Sequence, residues 1–146
     1  MDTVPESLQV TGACHCGALG YVYRTLIPPR DWTIRACQCG FCRAHGVLTT
    51  SDPSGSLEFF EYTAGALTRY RFGQRTADFL LCRHCGVYLG AVINTAQGRF
   101  GIININALKN RSTELKNAAA ADYEGESSDQ RIARRAQRWT PVVGAV

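Results

Sequence analysis

Seven cysteines stand in a chain of 146 residues, in three tight groups: Cys14 and Cys16, then Cys37, Cys39 and Cys42, then Cys82 and Cys85. Each has another cysteine within three positions, a spacing that gathers thiolates around a metal and that long-range disulfides do not need. The odd count argues the same way, since pairing leaves one thiol over. Any fold open to this chain must let short local segments converge, and counting ligands says how.

In an extended segment the side chains of residues i and i+2 point to the same side, so Cys14 and Cys16 can face one ion. Cys82 and Cys85, followed by Gly86, have the form of a zinc knuckle, where a tight turn brings two thiolates together and glycine accepts the backbone it needs. The outer pairs together supply four sulfurs, a closed tetrahedral structural site that ties the start of the domain to its middle. The central trio is one ligand short. Either His45 completes the coordination, or the thiols act only as soft core residues, or the position stays open to water or an exogenous thiolate. Zinc on three anionic sulfurs is a poor Lewis acid but lowers the pKa of a thiol it meets. A thiolate so held can add to an aldehyde carbonyl while a nearby donor protonates the alkoxide.

Length predicts one domain, and 45% apolar with 19% charged residues predicts that nearly all of it folds. The first six residues lack a basic stretch and an apolar run, and no segment reaches membrane-spanning length, so the expectation is a soluble cytoplasmic protein without a membrane partner. In a reducing cytosol the cysteines remain thiols. A net charge of +4 favours a small anionic ligand and is too weak, and its arginines too scattered, for nucleic acid.

Alternation of period two runs through Leu19, Tyr21 and Tyr23 and through Trp32, Ile34 and Ala36, and further strands are expected over 47–50, 57–62, 67–72, 77–82, 87–93 and 99–106. Short strands with turn-forming stretches between them predict an antiparallel sandwich or open barrel. Near the end the period changes: Ile132, Ala136 and Trp139 share a helical face, and Ser127 with Gln130 has capping-box spacing, which predicts a helix over 128–139 ended by Pro141. Residues 118–126 read as a surface linker or flap.

The remaining polar residues carry plainer expectations. His15 and His84, lying between cysteines, should point away from the metal. Arg43 and Arg83 either offset thiolate charge or stay solvated. Arg69 and Arg71 form a wet strand face, Asn104 and Asn106 share an outward one, and Arg131, Arg134, Arg135 and Arg138 make a solvated helical stripe, with contact to an anionic peptide as the alternative. Trp32 and Trp139 are expected as packing residues.

Gly12-Ala13-Cys14-His15-Cys16-Gly17, Cys37-Gln38-Cys39-Gly40-Phe41-Cys42-Arg43 and Phe79-Leu80-Leu81-Cys82-Arg83-His84-Cys85-Gly86-Val87 resemble the glutathione-dependent formaldehyde-activating family, which includes the centromere protein V domain. The likeness extends to Tyr70-Arg71-Phe72 and Ile103-Asn104-Ile105-Asn106-Ala107-Leu108, and the arginine-rich tail through Arg138-Trp139-Thr140-Pro141 resembles bacterial aldehyde-activating members. The resemblance implies a single zinc-bound β domain over 1–146 of the Mss-four-like type, its core at 11–108 and a linker and helix at 109–146. It implies two Zn2+ per chain, structural at Cys14, Cys16, Cys82 and Cys85 and catalytic at Cys37, Cys39 and Cys42. It further implies a carbon-sulfur lyase that reversibly joins glutathione to formaldehyde. Two other readings stand beside it: a zinc-stabilised binding module or glutathione carrier without catalysis, and a redox or metal-storage protein using the central thiols.

Overall fold

The structure is a computed structural model and describes residues 7–146. Residues 1–6, read above for a leader segment, lie outside it. In chain order the elements are β1 (Leu8–Ala13), β2 (Leu19–Thr25), β3 (Arg35–Cys37), α1 (Gly40–His45), β4 (Thr49–Thr50), β5 (Ser56–Glu61), β6 (Leu67–Tyr70), β7 (Asp78–Cys82), β8 (Tyr88–Thr95), β9 (Gly98–Asn104), β10 (Ala119–Ala121), α2 (Ser128–Arg138) and β11 (Thr140–Val143). The fold is mainly β, one open sheet with a short helix near its end.

The sheet is organised around β9. Along one edge it pairs with β8 from Gly98 to Ile103, and β8 continues outward through β7 to β6. Its other edge is shared: β11 takes Phe100 and Gly101, and β4 takes Ile103 and Asn104. From β11 the sheet runs through β5 and β2 to β1, and from β4 through β3 to β10. Most pairs are antiparallel, but β11 with β5 and β10 with β3 run parallel.

Because successive side chains on a strand face opposite sides, the central strands bury residues on both faces. Leu80, Leu89, Val92 and Ile103 enter a core with Tyr21, Tyr23, Trp32, Leu57 and Phe59. Their neighbours Phe79, Tyr88, Ala91, Ile93 and Ile102 enter a second core with Cys42, Val47 and Trp139. Helix α2 closes this second core against β8 and β9, and its Ser127 and Gln130 make the expected capping box.

Some segments depart from expectation. Of 47–50 only Thr49 and Thr50 pair, and of the alternation from Trp32 only Arg35–Cys37 forms a strand, although Trp32 and Ile34 are buried. Strand β9 stops at Asn104, whose Oδ1 accepts from the Asn106 N–H at 3.1 Å and opens a 3-10 turn over Ile105–Ala107. The two asparagines therefore do not share an outward face: Asn104 is buried and donates to the Tyr88 carbonyl at 2.9 Å, while Asn106 is exposed. The segment 118–126, expected as a linker or flap, contains β10, which is fastened to the sheet through its pairing with β3.

Candidate metal centres and an arginine-lined cavity

Each cysteine group is shaped by its own turn. After β1, the Cys14 N–H donates to the Leu19 carbonyl at 3.1 Å and the Gly17 N–H to the Cys14 carbonyl at 3.2 Å, with Gly17 at φ 81°. At the end of β7 the Cys82 N–H donates to Val87 and the Gly86 N–H to Cys82, with Gly86 at φ 78°, so the expected knuckle is present. These two turns meet. Cys14 Sγ is 3.7 Å from Cys16 Sγ, and Cys16 Sγ is 3.6 Å from Cys82 Sγ.

The sulfurs of Cys14, Cys16, Cys82 and Cys85 all lie within 4.8 Å of one another, and those of Cys37, Cys39 and Cys42 do the same as a separate group. In the trio, Cys37 ends β3, Cys39 caps α1 by accepting from the Cys42 N–H at 3.4 Å, and Cys42 sits on the helix. A strand end and a helix start thus aim three sulfurs at one point, and Gly46, left-handed at φ 59°, ends the helix just beyond. No fourth His, Cys, Asp or Glu joins this group among the described residues. His45, the closing ligand considered from sequence, instead lies tilted against the Phe41 ring at 4.5 Å between centroids.

Both donor sets fit a soft divalent metal. Four converging thiols match a closed site, and three leave one position. Ionisation is divided unequally between two of these thiols: the hydrogen bond shared with Cys42 draws Cys37 down to about 5 against the opposing effect of burial. The Cys39 N–H and the Arg134 guanidinium add to this, while the same shared bond pushes Cys42 upward.

A cavity of about 320 Å³ opens beside the trio, walled by Phe72, Phe79, Ile102 and Trp139 and by Arg35, Arg131, Arg134 and Arg135. The arginine stripe of α2, expected as a solvated face, therefore turns inward at three of its four members; Arg138 alone is exposed. Arg135 is buried, donates to Thr76 Oγ1 at 2.7 Å and lies with its Cζ 4.8 Å over the Trp139 ring. Arg134 forks onto Glu126 at 2.9 and 3.0 Å and lies 3.5 Å over Tyr123. The physical reason for the reversal is Trp139, one turn beyond Arg135, whose burial carries that side of the helix into the second core. Arg35 and Tyr123 were not singled out from sequence. For Arg35 a signal was present, since it precedes Cys37 by two on a strand and so shares its face.

The other residues sit as follows. His15, His84, Arg43 and Arg83 are exposed. Arg69 and Arg71 are exposed and both pair with Asp78. Trp32 and Trp139 are packing residues, and Trp139 also lines the cavity.

Fold and site define a mainly β protein with two cysteine centres able to hold metal ions, one closed and one open to a cavity. Residues 9–125 match the glutathione-dependent formaldehyde-activating enzyme family, and the chain belongs to that family. It is also similar to a Rhodobacter sphaeroides protein of known crystal structure, a structural-genomics target. The TM-score is 0.56 at 29% identity, covering 76% of this chain and 99% of that one. A search of curated proteins found no match. No helix among the described residues is long and apolar enough to cross a membrane.

Proposed function

We propose that the protein binds two zinc ions per chain and reversibly joins a thiol, glutathione first, to formaldehyde or a related small aldehyde. In the forward direction the sulfur forms a bond to the carbonyl carbon, and the thiol proton ends on the former carbonyl oxygen. The reverse direction is carbon-sulfur lyase chemistry. We place it in the cytoplasm, where the cysteines stay reduced.

The observation that carries this reading is the inequality of the two cysteine centres. Four thiols satisfy one ion completely, whereas Cys37, Cys39 and Cys42 stop at three beside a cavity of about 320 Å³. Zinc held by the trio would supply the positive charge that keeps an incoming thiol deprotonated at neutral pH. The chain's own contribution is placement: Cys37, Cys39 and Cys42 fix the point of reaction, and Phe72, Phe79 and Ile102 exclude water from one wall. A purely structural domain has no use for the trio.

The test is zinc stoichiometry together with exchange kinetics between glutathione and formaldehyde, with and without protein, at matched pH and thiol concentration. The expectation is two zinc per chain and accelerated exchange, with Cys37→Ser keeping the fold and one zinc while losing the acceleration. Exchange no faster than the uncatalysed rate would leave a binding module or glutathione carrier, and unchanged turnover in Cys37→Ser would remove the trio from the chemistry.

A further inference from the structure

We propose that Arg131 and Arg135 of α2 form a carboxylate subsite beside the trio, selecting thiols that carry a negative charge over neutral ones. The proposal rests on the reading above that this cavity receives a thiol, and it assigns the selectivity to a helix lying beyond the region 9–125 that matches the family.

A buried guanidinium is costly unless its donors are met. Arg135 is only 9% exposed, and burial, aided by the nearby charges of Arg134 and Arg131, lowers its pKa to about 10. One terminal nitrogen is met by Thr76, but Nε, though buried, has no hydrogen-bond partner. Arg131 is in the same condition: a terminal nitrogen donates to the Tyr123 carbonyl at 2.7 Å, while its buried Nε makes no hydrogen bond and lies 3.6 Å from Glu126. Both residues line the cavity of the trio, and neither Nε is hydrogen-bonded: Arg131 has only its longer ion pair to Glu126, and Arg135 has no ion pair among the described residues.

The charges around them leave the place open. Glu126 accepts two hydrogen bonds from Arg134 and makes only a longer ion pair, 3.6 Å, with Arg131, and Arg35 donates to Ser51. Asp122 and Glu124 stand at the cavity rim, exposed and screened by solvent. Arg131 and Arg135 are one turn apart on α2 and so present adjacent forks, the geometry that suits the two oxygens of a carboxylate. A thiol whose sulfur lies at the trio would extend its acidic end toward them within one cavity.

The probe is S-methylglutathione, which keeps both carboxylates and has no free thiol, with its dimethyl ester, which keeps the ammonium and loses both carboxylate charges, as the counterpart. Calorimetry on the zinc-loaded full chain should show the acid binding at least tenfold more tightly than the ester, and less tightly as salt rises. Arg135→Gln and Arg131→Gln should each weaken the acid on the order of 10-fold or more while leaving the ester and the zinc content unchanged. Equal binding of acid and ester to the wild type overturns the proposal. So do variants that lose zinc or weaken both probes alike, since the arginines would then serve only to offset the thiolates. If Arg135→Gln does not fold, the less buried Arg131→Gln decides by the same readout. Absence of accelerated exchange overturns the catalytic reading without touching this binding comparison.

Discussion

Cys16 and Cys82 bring their sulfurs to 3.6 Å across a separation of 66 residues. Cys16 is exposed, and apart from the cysteines the turn around it is tied to the rest of the fold by the Tyr62 and Thr63 N–H groups on the Ala18 carbonyl. Metal binding at the quartet should therefore be folding energy for this end of the sheet. Cys82→Ser is expected to lose one zinc and several kcal/mol of stability, on the scale of structural zinc sites, whereas Cys37→Ser loses zinc with little change in stability. Urea unfolding with parallel metal analysis checks the contrast, and equal destabilisation by both would show that the two centres are structurally alike.

Gly12 lies under an aromatic ring. A Cβ at that position would meet three ring carbons of Tyr21 at 2.2, 2.5 and 2.7 Å, and Tyr21 is itself fixed by a 2.9 Å bond from its hydroxyl to the Asn104 carbonyl. The ring cannot yield without giving up that bond. Gly12→Ala is expected to cost about 1–3 kcal/mol in thermal or urea unfolding, and Tyr21→Ala in the same chain should relieve part of it.

Thr25 and Asp52 form a buried polar pair. The Thr25 hydroxyl donates to Asp52 Oδ2 at 2.6 Å and accepts from the Ile27 N–H at 3.0 Å, and the Asp52 N–H donates to Thr140 Oγ1 at 2.8 Å. The network joins β2, the turn after β4, and β11. Thr25→Val keeps the shape but leaves a buried carboxylate oxygen and an N–H without partners, so a loss of roughly 2–3 kcal/mol is expected. A Thr25→Ser control should lose much less, because its hydroxyl can keep both contacts.

The parts of this fold legible in the sequence are those where one physical signal dominates. Strands β2 and β5 alternate because every second residue enters a core, β7 and β8 read as apolar runs because both their faces are buried, and α2 announces itself through its capping box. Strand β1 is hidden because Leu8 and Val10 are only half-buried, and β10 because three alanines carry no side-chain signal and are held by pairing with β3. Pro141, read as a stop for α2, does end the helix, yet it also stands inside β11, opposite Phe100. The pairing of β11 with β5 begins only at Val142, so the proline's missing donor falls outside that ladder. Helix α1 is six residues long and rests on Cys39 and Gly46 at its ends rather than on propensity.

Ligand counting separated the quartet from the trio without the structure, since that separation follows from local spacing. The inward turn of the arginines did not follow. Helical periodicity groups Arg131, Arg134, Arg135 and Arg138 on one side, but whether that side meets water or a cavity depends on β3, β7 and the residues just after β10, two of these three coming from distant parts of the chain.

Glu126 and Arg134 give the acid limb of stability a specific contributor. The hydrogen bonds from Arg134, against a smaller opposing effect of burial, hold the Glu126 carboxyl below its ordinary value of 4.5. Folding therefore favours the ionised form, so this stability is fully present above the unfolded value and is lost as pH falls through the lower folded-state one. With side chains 22% and 13% exposed, the forked pair should contribute about 1 kcal/mol. Glu126→Gln is expected to be less stable than wild type by that amount near pH 7, with the gap closing as the carboxylate is protonated below about pH 4.5. Comparing urea midpoints of the two proteins across this range cancels whatever other groups release in acid. A gap that persists unchanged at the acid end would mean that the glutamate acts through packing, not through its charge.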